Sequence, residues 1–251
     1  MTSTAARRPT MKIQALKEQL LKLHLSGMEG ILDETLKKAA TDNLSPADAL
    51  TILAEHEIAL RKQKLIKARI AQAAFPNLKT IDAFDFNFPK NINKSKILDL
   101  FDLGFVHQKQ NVILMGPPGT GKTHIALALG CQACQQGCKT LFTTAMNLIN
   151  HLSASLADNS FLKTMKMYKS PQLLIIDELG YLPVDKQGAE LLFQVISDRY
   201  ECGSIIVTTN RAFRDWGNIL NNDNTLASAA IDRLIHHGTL VQIKGDSYRI
   251  K

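Results

Sequence analysis

Asn111-Val-Ile-Leu-Met-Gly-Pro-Pro-Gly-Thr-Gly-Lys-Thr-His124 decides the fold. Its first residues are a short apolar run, Val112 to Met115, that breaks at Gly116. Gly116, Gly119, Gly121, Lys122 and Thr123 then fall at the spacing GxxxxGK[ST], the Walker A pattern. Glycines at these places let backbone N–H groups crowd around a phosphate without interference from Cβ atoms. A helix starting near Gly121 points its positive end at the same anion. Lys122 has the reach for the outer phosphates and Thr123 the hydroxyl for Mg²⁺. Ala126, Leu127, Leu129 and Gly130 give that helix an apolar face. The stretch from Gly116 through Pro117, Pro118, Gly119, Thr120, Gly121, Lys122, Thr123 and His124 is therefore expected to hold a nucleoside triphosphate.

The second informative stretch is Leu173-Leu-Ile-Ile-Asp-Glu178. Four consecutive apolar residues predict a strand covered on both faces. Its acidic pair falls at the carboxyl end, where ligands of open parallel sheets collect. Asp177 is placed to hold Mg²⁺ with Thr123, and Glu178 to polarise an attacking water. A third strand, Ser204–Thr208, ends in Thr209-Asn210, which brings Asn210 to the same edge as a residue that can orient water or touch the outermost phosphate.

Further strands are expected at Lys139–Thr143 and Leu240–Lys244, with helices between. Five short buried strands alternating with helices predict a parallel α/β sheet with right-handed crossovers. A helical region from Thr144 to Lys169 is expected to break over Ser153 to Ser160, and Lys186 to Tyr200 to form an amphipathic helix. Leu226 to His236 predicts another helix, closed by His236-His237-Gly238. These histidines have no acidic or cysteine partner in place, so a helix cap is expected there rather than a metal site.

The region before residue 77 differs in character. Helices are predicted from Thr10 to about Ser26, from Met28 to about Ala40, and from Ser45-Pro46-Ala47-Asp48 to about Ala74; the last opening supplies a cap, a proline at the first position and an acid in the first turn. Residues 1–9 read as frayed. Phe75-Pro76 closes the long helix. Asn77 to Lys94, with Phe84, Phe86, Phe88 and Pro89, reads as a linker that packs its aromatics on the following domain. Two domains follow: 1–76, small and all-helical, and 77–251, an α/β domain.

With 251 residues, 45% hydrophobic and a formal charge of +7, the chain has the composition of a soluble globular protein with an anionic partner. The long helix carries Arg61, Lys62, Lys64, Lys67 and Arg69, and no acid follows before Asp82. Arg61 and Lys64, with Lys67 or Lys62, share one flank, so these five residues are the candidate DNA contacts, a solvated helix face being the alternative. No run approaches the ~20 apolar residues of a membrane span. The opening MTSTAARRPTMKIQ has no apolar core behind its basic residues, so residence in the cytoplasm is expected. Cys131, Cys134, Cys138 and Cys202 are expected to be buried or half-buried small hydrophobes rather than zinc ligands or disulfides.

With Walker A, Asp177-Glu178 and Asn210 in order, the chain resembles the AAA+ ATPases. GPPGTGKTH, LLIIDELGYLP, RYECGSIIVTTNRAF, DWG, IDRLIHHG and KGDSYRIK narrow this to a resemblance to the IstB family, the helper ATPases of insertion-sequence transposition, related to the DnaC/DnaI helicase loaders. That resemblance covers nearly the whole chain. It implies an AAA+ P-loop domain with a five-stranded parallel sheet, a small N-terminal helical domain, and no full helical lid. It implies Mg²⁺-dependent hydrolysis of ATP, with Asp177 and Glu178 as Walker B, Asn210 as sensor 1 and Arg233 as an arginine finger offered to a neighbouring subunit. Leu234 and Ile231 would anchor the helix of Arg233 and leave its guanidinium projecting outward; a salt bridge to Asp185 or Asp198 is the alternative. Arg249 is the late candidate for a second sensor. The implied partners are double-stranded DNA, an IstA-type transposase and further copies of the chain in an ATP-dependent oligomer. A replicative helicase loader of the DnaC type shares the same core and is the alternative reading. A small-molecule kinase lacks support because no second arginine-rich lid is present, and a GTPase because no NKxD segment is present.

Overall fold

The structure, a computed structural model, describes residues 7–88 and 91–248. Pro89 and Arg249 lie outside the described residues, as do the first six of the expected frayed stretch. The chain divides into two units, 1–67 and 68–251, with the division inside a helix.

The first unit contains helices α1 (Arg7–Lys22), α2 (Ser26–Thr41) and most of α3 (Pro46–Gln72). Leu20, Leu32 and Leu53 form its buried centre, with Ile13, Leu25, Met28 and Ile31 packed around them. α3 begins where Ser45 and Asp48 cap one another: the Asp48 N–H donates to Ser45 Oγ at 3.2 Å, and the Ser45 N–H donates to Asp48 Oδ2 at 3.1 Å. α2 starts against α3 at Gly27, where a Cβ would stand 2.9 Å from Glu57 Cα. The nearly buried Glu57 carboxylate accepts from the backbone N–H of Gly27 at 2.6 Å and of Met28 at 3.2 Å, completing orphan donors at the α2 start.

The second unit is built on five parallel strands, β1 (Asn111–Met115), β2 (Thr140–Thr144), β3 (Leu173–Leu179), β4 (Ser204–Thr209) and β5 (Gly238–Gln242), in the order β2-β3-β4-β1-β5. Strand alternation sends neighbouring side chains to opposite faces. Val112, Leu114, Leu173, Ile175 and Ile206 join one apolar cluster, and Ile113, Leu174, Ile176, Ile205 and Val207 the other. Both faces are therefore covered, which is why these strands read as unbroken apolar runs. Truncating one such side chain to Ala would cost about 2–5 kcal/mol.

α6 (Lys122–Gln135) packs on the first face with α4 (Lys94–Asp99) and α5 (Gly104–His107). α7 (Ala145–Ala157), α9 (Lys186–Arg199), α10 (Trp216–Ile219) and α11 (Asn224–Ile235) cover the other, and α8 (Phe161–Lys169) packs beside α7 and α9. The linker aromatics Phe84 and Phe86 pack against the α6 side of the core. Cys131, Cys134 and Cys138 are buried there, and burial pushes their thiols up; Cys202 is exposed.

The break expected over Ser153 to Ser160 is shorter. α7 continues to Ala157, because Leu152 and Ser155 are buried and the Ser155 hydroxyl turns back to the Leu152 carbonyl at 2.7 Å. The chain turns only at Asp158-Asn159-Ser160, with Asn159 at φ 58° and Asp158 accepting from the Ser160 N–H at 3.0 Å. Among the described residues no helix is long and apolar enough to cross a membrane.

Candidate functional site: a phosphate loop at the sheet edge

The strand order sets β1 beside β4 and β4 beside β3, so the turns after these three strands open at one edge of the sheet. The turn after β1 is the loop expected to hold phosphates. Gly116 leaves β1 with its N–H donating to the Thr209 carbonyl at 3.1 Å. A Cβ there would lie 2.2 Å from the Ile243 carbonyl oxygen, so the loop passes too close for any other residue. Gly119 and Gly121 adopt φ of 77° and 91°, in the left-handed region that glycine enters without cost. Gly121 caps α6, whose first N–H groups face the loop. The loop curls on itself through Thr120 Oγ1, which donates to the Pro117 carbonyl at 2.8 Å. The nearly buried Lys122 donates from Nζ to the same carbonyl at 2.7 Å, which holds its ammonium inside the curve of the loop. Pro118 continues the curve to Gly119.

Next to Lys122, the Thr123 hydroxyl lies 2.9 and 3.1 Å from the two carboxylate oxygens of Asp177. Asp177 is almost fully buried near the end of β3. A hydroxyl and a carboxylate side by side are the hard oxygen donors that Mg²⁺ takes.

Asp177 has a second support that the strand pattern did not reveal. The Thr208 hydroxyl, buried on the neighbouring strand β4, donates a short hydrogen bond to Asp177 Oδ1. The same hydroxyl accepts from the Glu178 N–H at 3.0 Å. Glu178 stands at φ 60°, a left-handed conformation that a non-glycine residue adopts only when its surroundings hold it there. Thr208 thus fixes the kink that leaves Asp177 buried and turns Glu178 out to the cavity.

That cavity, about 410 Å³, is lined by Lys122, Thr123 and Glu178 on the sheet side. The linker supplies Phe84 and Phe88, and the last described turn supplies Tyr248. Phe84 lies over Gly121, where a Cβ would meet its ring at 2.4 Å, and packs edge-on to His124 at 5.4 Å between centroids. His124 also reaches the linker through Nε2, 2.8 Å from the Thr80 carbonyl. The Tyr248 N–H donates to the Gly119 carbonyl at 3.0 Å, and the Phe88 and Tyr248 rings meet edge to face. Nothing in the local sequence pattern of these linker and tail residues marks the cavity that the fold brings them to.

Asn210 follows β4 directly, and its Oδ1 is buried without a hydrogen-bond partner. It is not among the residues lining the cavity; Thr208 holds that wall.

Arg233 takes neither of its expected courses. It is half-buried, with its guanidinium 4.9 Å from the Phe193 ring on α9 and Nη1 donating to the Ala229 carbonyl at 3.0 Å. Asp185 instead caps α9, and Asp198 pairs with Lys169 at 3.1 Å. Asn111 at the start of β1 donates to the Arg233 carbonyl at 3.2 Å. The start of β1 is about 13 Å from its end at the phosphate loop. Arg233 therefore sits at the opposite end of the sheet from its own loop.

The basic run is divided. Arg61 donates from Nε to Glu57 Oε1 at 2.6 Å and from Nη2 to the His24 carbonyl at 2.9 Å. The charge expected to be unneutralised has a partner, Glu57, one helical turn before Arg61. This contact holds the Glu57 carboxyl below its usual range. Lys64 Nζ reaches the Ser26 hydroxyl at 3.2 Å. Lys62 and Lys67 are exposed, and Arg69 falls in the second unit, beside Gly137.

Comparison with known proteins agrees with this architecture. Residues 18–251 match the family described as IstB-like ATP binding protein. The chain is 39% identical over 238 residues to a Geobacillus stearothermophilus protein named for ATP binding in insertion sequence IS5376, covering 95% of this chain and 94% of that one. It is 39% identical over 241 residues to the corresponding IS21 protein of Pseudomonas aeruginosa, covering 96% and 89%. Among solved structures, the DnaC helicase loader superposes with a TM-score of 0.54 at 24% identity, over 66% of this chain and 96% of that one. DnaI superposes with a TM-score of 0.57 at 17% identity, over 66% and 91%. At these identities the structural likeness speaks for the fold, an AAA+ P-loop sheet, while the sequence match over nearly the full length speaks for kinship: the chain belongs to the IstB-like ATP binding protein family.

Proposed function

We propose that this protein is a Mg²⁺-dependent ATPase that assembles on double-stranded DNA and assists a transposase of the insertion sequence that encodes it. The observation that carries the ATPase reading is the Thr123–Asp177 pair beside Lys122, with Glu178 turned out of the same strand end into the cavity. In this reading the loop N–H groups and Lys122 bind the phosphates, and Thr123 and Asp177 hold the ion. The ion, when bound, neutralises charge on the transferred phosphoryl group. Glu178 accepts a proton from the attacking water, and Asn210 orients that water or the outermost phosphate.

Arg233 cannot serve its own loop from the far end of β1, so its role is assigned in trans, to the nucleotide of a neighbouring subunit. Its hold on Phe193 is a cation–π contact on the order of 0.5–1 kcal/mol, weak enough to exchange for a phosphate. Such an arginine is worth roughly 10³–10⁵ in rate. The insertion-sequence relatives support the transposition setting, and the basic charge supports DNA as the surface of assembly.

The test mixes two inactive proteins. Lys122→Ala removes a charge-assisted contact to the phosphates of about 1.5–3 kcal/mol, so it weakens ATP binding roughly tenfold to a hundredfold. Arg233→Ala keeps nucleotide affinity but loses hydrolysis. A mixture on DNA should regain activity by pairing an intact pocket with an intact arginine. A mixture that assembles by sedimentation yet stays inactive would refute the shared site. Capture of a replicative hexameric helicase instead of a transposase would replace the partner and leave the ATPase reading intact.

A further inference from the structure

We propose that Glu201, His236 and His237 form a binding site for a divalent transition-metal ion of the Zn²⁺ class, separate from the nucleotide site. The chain leaves α11 at His236, still in helical conformation, and reaches β5 through His237 and Gly238. At Gly238 a Cβ would lie 2.2 Å from the Leu234 carbonyl oxygen, so the turn is as tight as glycine allows. This tightness sets the two imidazoles side by side, with centroids 4.2 Å apart. The turn after α9 then brings in Glu201, a partner more than thirty positions away that local reading of the chain could not supply.

One ligand atom from each of the three residues lies within 4.8 Å of the others. Glu201 Oε1 and His237 Nε2 are 3.4 Å apart. Two ligand atoms each ~2.0–2.1 Å from a tetrahedral Zn²⁺ stand about 3.4 Å from one another, so this pair already has the spacing the ion requires. His236 places a ligand atom within 4.8 Å of this pair. Its Nδ1 lies 2.8 Å from the Tyr200 hydroxyl, which commits that nitrogen to the protein and leaves Nε2 for the metal. The Tyr200 ring also stacks on His237, at 6.2 Å and 26° between planes. Two imidazole nitrogens and one carboxylate suit Zn²⁺, Co²⁺ or Ni²⁺ and discriminate against Mg²⁺, which prefers an oxygen octahedron. All three residues are exposed, so a water completes the fourth position.

The experiment uses the untagged full chain, stripped with a chelator and free of nucleotide, titrated with Co²⁺ and then Zn²⁺. Wild type should bind one Co²⁺ with the visible absorption of a tetrahedral site, and Zn²⁺ should displace it. His236→Ala with His237→Ala should abolish the signal while ATP binding persists. Tyr200→Phe keeps every ligand, so its affinity should fall roughly tenfold to a hundredfold, the usual cost of losing an orienting partner. Lys122→Ala should bind the metal unchanged, which separates this site from the ATPase reading. Co²⁺ binding unaltered in the double histidine variant would overturn the proposal. So would a thiolate charge-transfer band in the near ultraviolet, which would place the ion on the cysteines, or the absence of one-to-one binding by wild type.

Discussion

Replacing Thr208 by Val exchanges a hydroxyl for a methyl and tests whether Thr208 holds the Asp177–Glu178 strand end in place. The hydroxyl has two roles at once, donor to Asp177 and acceptor from the Glu178 N–H. Valine has nearly the same shape, so the buried site keeps its packing and loses only the two hydrogen bonds. The bond to the carboxylate is charge-assisted and contributes about 1.5–3 kcal/mol. The Glu178 N–H, partly buried, loses an ordinary bond of about 0.5–1.5 kcal/mol. A loss of roughly 2–4 kcal/mol follows, or about 4–16 °C in the melting temperature of a chain this size. Hydrolysis should fall further than stability alone explains. Without its anchor the Glu178 backbone can relax from φ 60°, and a carboxylate displaced by about 1 Å can lose a hundredfold in rate. The assay is urea unfolding monitored on the second unit, together with ATP turnover at saturating nucleotide by the folded variant. Thr208→Ser, which restores the hydroxyl, should recover most of both losses. A Thr208→Val protein within about 0.5 kcal/mol of wild type and turning over ATP at the same rate would refute the reasoning.

Three other outcomes follow from the same geometry. Glu178→Gln keeps the shape but removes the proton acceptor, so ATP affinity measured by nucleotide titration should hold while turnover falls by roughly 10²–10⁴; equal turnover would take Glu178 out of the reaction. Lys62→Ala with Lys67→Ala should lower the slope of log affinity against log salt on duplex DNA by about 0.9 for each phosphate no longer neutralised, whereas Arg61→Ala should act first on the folding of the N-terminal unit; the reverse pattern would reassign the DNA-binding residues. The Glu57 carboxyl is held below its ordinary value of 4.5 chiefly by the hydrogen bond from Arg61. A carboxyl depressed in the folded state contributes stability that is full above its unfolded pKa and is lost as pH falls through the folded one. The N-terminal unit of wild type should therefore weaken below about pH 4.5, and Glu57→Gln should flatten that dependence in unfolding followed by helical circular dichroism.

The site was legible where chemistry is written along the chain, and obscure where it is written across the sheet. The conformation of Gly116 to Thr123 could be read directly, because the loop curls within eight residues and its glycines answer a local steric demand. Asp177 and Glu178 could be read because they end an apolar run, and the burial of that run on both faces follows from composition alone. Thr208 could not, although it touches both: its role depends on the register of β4 against β3, which no local pattern encodes. Arg199 is the same case. A charged residue late in an amphipathic helix reads as solvated, yet its guanidinium is buried, donates to carbonyls of Tyr168, Pro171 and Ser204 at 2.8–2.9 Å, and is lowered to about 10 by desolvation. Arg61 shows the converse, a residue chosen for its charge that the fold commits to Glu57. In each case the side chain's partner lies on another element or on the turn before it, so its meaning is a property of packing. Arg233 carries this one step further, since the partner proposed for it lies on another subunit. Its position beside Asn111, at the far end of β1 from the loop, supports the proposed reach to a neighbour's nucleotide over a role at its own loop.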